Sequence, residues 1–186
     1  GEGSYALRPC VFVRLTGCPL RCVYCDTTYS FSGGERHTLD ELLAQVRAWR
    51  TPRVCVTGGE PLAQPNCLPF LKLLCDEGYE VSLETSGALD VSEVDLRVSR
   101  VVDLKTPDSG EMHRNLYENL PRLNAHDQVK FVICSRGDYE WARGIVAEHL
   151  LAERCDVLFS PSKDQVPARD LADWIVADRL PVKFQM

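Results

Sequence analysis

The sequence predicts an α/β fold, a partial (β/α) barrel of six to seven mostly parallel strands. Short runs rich in Val, Ile, Leu and Phe alternate with amphipathic stretches along the chain. The runs are short and close to continuously apolar, as strands covered on both faces are. Strand, helix and strand repeated about six times implies a parallel sheet joined by crossover helices. Six or seven strands fall short of a closed eight-stranded barrel.

The expected strands cover residues 10–15, 53–57, 80–85, 100–104, 129–134, 157–160 and 182–185. The clearest helix pattern is 39–49, where Thr38 and Glu41 form a capping box. Leu39, Leu42, Leu43, Val46 and Trp49 follow at the spacing of one helical face. A second helix over 68–77 is stopped by Gly78. Further helices are expected over 112–120, 139–150 and 168–177. Folds of this kind place ligands at the carboxyl ends of their strands. Polar and small residues collect there: a cysteine loop after the first strand, Gly58-Gly59-Glu60-Pro61 after the second, Ser86-Gly87 after the third, Lys105-Thr106-Pro107 after the fourth and Ser160-Pro161-Ser162-Lys163 after the sixth.

The chain has 186 residues, one domain's worth, and 45% of them are hydrophobic, enough for a packed core. Its net charge of -6 argues against a non-specific nucleic-acid or membrane-surface binder, which needs a basic face. No apolar run approaches the length of a membrane span. Nine cysteines, an odd count, fit a reducing compartment such as the cytoplasm better than a disulfide scaffold. Cys10, Cys55, Cys75 and Cys134 lie in apolar runs and read as small buried hydrophobes. Cys67 and Cys155 sit at element edges.

Cys18, Cys22 and Cys25 alone share a polar turn with Gly and Pro, in the spacing C-x3-C-x2-C. Chance gives such a triplet with a probability of only about 0.02 at this cysteine content. Structural zinc asks for a fourth ligand, and neither a second cysteine knuckle nor a histidine pair is spaced to supply one. A disulfide would strand one of the three thiols. Three thiolates on a tight loop can hold three irons of a [4Fe–4S] cluster and leave the fourth open to a cofactor.

With Tyr24 before the third cysteine and the Gly58–Pro61 segment after the second strand, the chain resembles the radical S-adenosylmethionine superfamily and its GGEP motif. Gly1-Glu2-Gly3, Arg14, Cys25-Asp26-Thr27, Thr57-Gly58-Gly59-Glu60-Pro61 and Glu84-Thr85-Ser86-Gly87 together resemble the 7-carboxy-7-deazaguanine synthase family of queuosine biosynthesis. The resemblance implies a radical-SAM-type fold. It also implies a lyase that converts 6-carboxy-5,6,7,8-tetrahydropterin to 7-carboxy-7-deazaguanine with release of ammonia, using a [4Fe–4S] cluster, S-adenosylmethionine and Mg²⁺. It assigns no catalytic side chain, since the reactive species is the 5′-deoxyadenosyl radical drawn from S-adenosylmethionine.

By the same resemblance backbone groups of Tyr24, Cys25, Asp26 and Gly59 hold S-adenosylmethionine, with further contacts from Asp103, Leu104 and Lys105 and from Ser160, Pro161, Ser162 and Lys163. Thr27 is the protein's ligand to Mg²⁺, which keeps several waters and borrows oxygens from the substrate. Gly1, Glu2, Arg14 and Thr57 bind the pterin. Arg14 interrupts an apolar strand, where an unpaired charge is costly, and a substrate carboxylate suits its planar fork. A reductase such as flavodoxin or ferredoxin and a homodimer are the implied partners. Family members carry an earlier strand ending Gln-Gly-Glu-Gly and a later tail with His-Lys. Residues 1–186 therefore read as a single radical SAM domain that lacks both. Two rivals share some of these features: an activase that installs a glycyl radical on a partner enzyme, and a zinc-stabilised binding module.

Overall fold

A computed structural model describes residues 3–186. Seven strands form one sheet whose order follows the chain. They are β1 (Val11–Leu15), β2 (Arg53–Gly58), β3 (Glu80–Thr85), β4 (Ser99–Asp103), β5 (Gln128–Ile133), β6 (Asp156–Pro161) and β7 (Lys183–Phe184). The sheet is open, with β1 and β7 as its edges. The helices are α1 (Leu39–Ala48), α2 (Cys67–Asp76), α3 (Arg136–Glu148), α4 (Leu151–Arg154) and α5 (Ala168–Ala177). The α/β class and the partial, mostly parallel barrel expected from the sequence are what the chain forms.

The chain divides into two compact units, Gly1–Pro19 with Asp26–Thr85 and Val91–Arg100, and Leu20–Cys25 with Ser86–Asp90 and Val101–Met186. In the first unit β1, β2 and β3 pair in parallel. Val54, Val56, Val81 and Leu83 are fully buried there, as are Phe70, Leu71 and Leu74 of α2. Each such side chain contributes about 1.5–3 kcal/mol. The capping box forms as expected: Glu41 N–H donates to Thr38 Oγ1 (3.2 Å) and Thr38 N–H to Glu41 Oε2 (2.8 Å). Trp49 departs from the expected helical face. It sits at the C-cap of α1 and is 73% exposed.

In the second unit β5, β6 and β7 pair in parallel, and Val101–Asp103 of β4 pair with Gln128–Lys130. Its core is aromatic. Phe131 meets Phe159 edge-on at 5.4 Å between centroids, and Tyr139 meets Phe159 at 5.9 Å.

The expected helix over 112–120 does not form. The chain makes short 3-10 turns instead, Met112–Arg114 and Tyr117–Arg122. Pro121 removes a backbone donor, and the Asn115 side chain bonds to backbone elsewhere, which draws that segment away from a helix. α3 begins three residues before the expected start, because Ser135 Oγ caps it by accepting Asp138 N–H (3.1 Å). It stops because Leu150 turns into the left-handed region at φ 50°, after which α4 starts afresh. Cys10 is part-exposed rather than buried, since it lies just before the edge strand, while Cys67 and Cys155 are both buried.

Candidate functional site

The first unit brings the GGEP loop against the start of the cysteine loop. Gly59 N–H donates to Leu15 O (3.1 Å) and Glu60 N–H to Gly17 O (2.8 Å). The approach is so close that a Cβ on Gly59 would stand 2.4 Å from Gly17 O and 2.7 Å from Cys18 Cβ. A Cβ on Gly58 would stand 2.0 Å from Leu15 O. Paired glycines are thus what this β2 end requires. Glu60 faces inward, fully buried. Its carboxylate takes the Thr85 hydroxyl (2.9 Å) and Leu62 N–H (3.0 Å), tying the loop to the end of β3. Gln64 Nε2 also donates to Thr16 O (2.5 Å).

Arg14 and Thr57 are register partners on β1 and β2. Arg14 is exposed, contrary to the expectation of a costly buried charge, because β1 is an edge strand open to water. Its guanidinium donates to Gly58 O (3.4 Å) and lies 5.8 Å from the Tyr29 ring centroid. Among the described residues Arg14 has no carboxylate partner. Asp26 is exposed and Thr27 half-buried. The Thr27 carbonyl accepts from Ser30 N–H (2.8 Å) and Ser30 Oγ (2.7 Å), which fixes the short turn carrying its side chain. Gly1 and Glu2 lie outside the described residues.

The second unit holds the rest of the cysteine loop and the ends of β4 and β6. Lys105 is buried and ion-paired with Asp103 Oδ2 (2.9 Å), and its ammonium lies 5.7 Å from the Tyr24 ring centroid. Burial by itself lowers the pKa of this ammonium. Asp103 and the Cys22 sulfur outweigh burial and raise it, so Lys105 stays charged. Burial, then Asp103 and Cys22, drive the Tyr24 phenol far above its ordinary value, so it stays neutral. Leu104 is fully buried and Ser162 nearly so, whereas Lys163 is exposed. Ser160 and Pro161 close β6 rather than opening the loop after it.

Besides Gln185 Oε1 after β7, the cysteine loop and the ends of β4 and β6 carry three buried polar atoms with no hydrogen-bond partner: Tyr24 Oη, Asp103 Oδ1 and Ser160 Oγ. Each left unsatisfied costs about 1–3 kcal/mol. All three belong to residues expected to contact S-adenosylmethionine, a ligand rich in complementary groups, and they fit it on that ground. For the cluster, the donor set fits: all nine cysteines are thiols, and Cys18, Cys22 and Cys25 are part-exposed. Among the described residues no three His, Cys, Asp or Glu side chains are gathered into a preformed metal centre. The three thiols of the cysteine loop are thus the donors this chain offers a cluster, without being gathered around one.

Sequence reasoning passed over four residues that set this geometry. Asn115 brackets Lys105, accepting its N–H (2.8 Å) and donating to its carbonyl (2.9 Å). Asn119, fully buried, donates to Leu89 O (2.9 Å). Asp138, also buried, accepts from Thr106 Oγ1 (2.8 Å), Asp108 N–H (3.0 Å) and Cys134 N–H (3.0 Å). Glu111 accepts Arg21 N–H (2.6 Å). Asn115 and Asn119 fall in the stretch expected as helix, with Gly110 and Pro121 flanking it as the only signal, while Glu111 and Asp138 stand just before expected helices.

A parallel α/β sheet with a three-cysteine loop after β1 and a glycine-paired loop after β2 defines a radical SAM protein, and residues 12–103 match the Radical SAM superfamily model. The chain is 44% identical to the 7-carboxy-7-deazaguanine synthase of Chlorobaculum tepidum over 189 aligned positions, 100% of this chain and 86% of that protein. It is 42% identical to the synthase of Koribacter versatilis, across 99% of this chain and 88% of that one. The chain belongs to the 7-carboxy-7-deazaguanine synthase family. Its fold matches the crystal structure of QueE from Escherichia coli with a TM-score of 0.80 at 23% identity, covering 99% of this chain and 88% of that one. Streptococcus suis SuiB bound to its precursor peptide SuiA gives a TM-score of 0.67 at 13% identity, covering 94% of this chain and 47% of that one. Membership implies a radical SAM enzyme with a [4Fe–4S] cluster and S-adenosylmethionine. It sets aside both the zinc module and the glycyl-radical activase. No helix among the described residues is long and apolar enough to cross a membrane.

Proposed function

We propose that this protein converts 6-carboxy-5,6,7,8-tetrahydropterin to 7-carboxy-7-deazaguanine, releasing ammonia, as a carbon–nitrogen lyase of queuosine biosynthesis. The observation that carries this is the pairing of Arg14 with Thr57 at the carboxyl ends of β1 and β2, the strands that lead into the cysteine and GGEP loops. Arg14 carries a charge with no carboxylate partner among the described residues. Its planar fork suits the carboxylate of the pterin, and Thr57 offers a hydroxyl beside it.

Cys18, Cys22 and Cys25 hold the cluster. Tyr24, Cys25, Asp26, Gly59, Asp103, Leu104, Lys105 and Ser160 through Lys163 hold S-adenosylmethionine. Together, when bound, the two cofactors supply a 5′-deoxyadenosyl radical through one-electron cleavage of the sulfonium. The chain's own contribution is placement and shielding: Leu104 presents a dry wall, and the buried Lys105–Asp103 pair presents fixed charge. Thr27 supplies one hydroxyl to Mg²⁺, whose remaining ligands are waters and substrate oxygens. Gly1 and Glu2 complete the pterin contacts. A one-electron reductase of flavodoxin or ferredoxin type, a homodimeric assembly and a cytoplasmic location complete the reading.

The test is anaerobic reconstitution with iron and sulfide, then incubation with S-adenosylmethionine, dithionite, Mg²⁺ and the carboxytetrahydropterin. Mass spectrometry should find 7-carboxy-7-deazaguanine. Cleavage of S-adenosylmethionine without that product would reject the substrate, and absence of any cleavage would reject the radical assignment.

A further inference from the structure

Cys22 sits between two backbone N–H groups that are both tied to one distant turn. Arg21 N–H donates to Glu111 Oε1 (2.6 Å), a contact that spans 90 residues of sequence. Val23 N–H donates to Ser109 O (3.0 Å). Cys25 N–H then closes back on Cys22 O (3.1 Å), so the middle of the cysteine loop is held on three sides.

The turn that does this is itself rigid. Ser109, fully buried, donates from Oγ to Thr106 O (2.6 Å) and accepts Glu111 N–H (3.1 Å). Thr106 Oγ1 and Asp108 N–H both run to Asp138, which anchors the turn to the start of α3. Gly110 adopts φ 79°, which lets the chain reverse before Glu111.

We infer that Glu111 is a positioning residue for the cluster: its carboxylate fixes the peptide before Cys22 and so sets where that thiolate meets iron. This rests on the cluster reading of the cysteine loop. Nothing in the proposed reaction requires a carboxylate at position 111. The bond is solvent-exposed, so water and salt screen the carboxylate's charge and what it supplies is the acceptor itself. Such bonds orient ligand residues from behind, the role that outer partners play at metal sites. The role requires an acceptor oxygen. It does not require a charge, so glutamine should preserve it.

The experiment compares wild type, Glu111→Ala and Glu111→Gln after anaerobic reconstitution. Three quantities are read: bound iron, the electron paramagnetic resonance spectrum of the reduced cluster with and without S-adenosylmethionine, and the rate of cluster loss in air. Glu111→Ala should keep the fold by circular dichroism, lose its cluster about tenfold faster and alter the resonance line shape. Glu111→Gln should restore both. A Glu111→Ala protein with the wild-type spectrum and decay rate overturns the inference and leaves the cluster reading standing. A Glu111→Gln protein as impaired as the alanine variant overturns it too, because the charge would then matter and the acceptor would not. Should Glu111→Ala unfold, Ser109→Ala, which loses the bond to Glu111 N–H, must give the same faster loss and altered line shape in a folded protein. Wild type that binds no iron would reject the cluster reading and this inference together.

Discussion

Replacing Gly59 with Ala adds one methyl group where there is no room. The new carbon would lie 2.4 Å from Gly17 O and 2.7 Å from Cys18 Cβ. The first distance is about 1 Å inside an ordinary contact of roughly 3.5 Å. Neither neighbour can rotate away, because one is backbone and the other is the first atom of a side chain. Gly17 is held by its own N–H bond to Ser30 O (2.7 Å) and by the Glu60 N–H that its carbonyl accepts (2.8 Å). The loop must shift as a whole, at the upper end of the overpacking range, about 3 kcal/mol. For a chain of this size that is a fall in Tm of about 6–12 °C in the cluster-free protein. The displaced residue is Cys18, so iron uptake on reconstitution should fall as well. Gly144→Ala is the matched control. It lies in α3 with nothing within 4 Å of its added Cβ, and should be neutral or stabilising by about 0.5–1 kcal/mol. Differential scanning fluorimetry and iron analysis on both variants decide the matter. A Gly59→Ala protein that melts with wild type and binds full iron would refute the close-approach reasoning.

Arg14→Met should weaken carboxypterin binding by about 10–100-fold while the cluster absorbance stays unchanged. Arg14→Lys should recover only part of the loss, and unchanged substrate affinity in the Met variant would return Arg14 to a structural role. Asp138→Ala leaves the N–H groups of Asp108 and Cys134 unsatisfied, while the Thr106 hydroxyl keeps Val132 O (3.1 Å) as an acceptor, and should cost about 2–5 kcal/mol, read as a fall in Tm. A shift of under 2 °C, about 1 kcal/mol or less, would show that the turn finds other partners. Burial pushes the Cys67 and Cys134 thiols up to about 12 and the Cys155 thiol up to about 11, so these stay protonated in the folded chain at pH 8. Iodoacetamide at pH 8 should therefore label Cys10, Cys18, Cys22 and Cys25 in the cluster-free protein, and loading the cluster should protect all of these but Cys10. Early labelling of Cys67 by peptide mass mapping would contradict the burial. The same three thiols ionise near pH 8.5 once the chain unfolds. Their contribution to stability is thus full below that pH and falls as pH rises towards 11–12, so Tm should decline across that window.

The strands were legible because parallel strands buried on both faces carry apolar runs with little else in them, and Val54 to Val56 and Val129 to Ile133 are such runs. The capping box was legible because a cap is a local event, decided by Thr38 and Glu41 alone. The two motif loops could be read for a similar reason. Cysteine spacing and paired glycines are constraints that a short segment imposes on itself. Arg14 was read only in part: its position came through, but its exposure depends on β1 lying at the sheet edge, a property of strand order and not of the strand. The segment carrying Glu111, Asn115 and Asn119 stayed hidden. Its side chains bond to backbone far away in sequence, and nothing in a local window distinguishes such an asparagine from one at a turn. Leu150 hid the end of α3 for a related reason, since a leucine in the left-handed region is held there by its surroundings and not by its own preference.

Every strand pair within each unit is parallel, and this shapes how the chain is made. Val11 meets Val54 and Arg53 meets Glu80, so no ladder can begin as a hairpin, and each must wait for a whole crossover to emerge. Folds dominated by such distant pairings assemble slowly. While they do, thiols destined for the interior, Cys55 and Cys67 among them, share the solvent with the three meant for iron. The newborn chain therefore passes through an interval in which the wrong cysteines compete for metal and oxidant. Growth temperature, iron supply and oxygen tension during expression should accordingly govern the yield of correctly loaded protein more strongly than any treatment after purification.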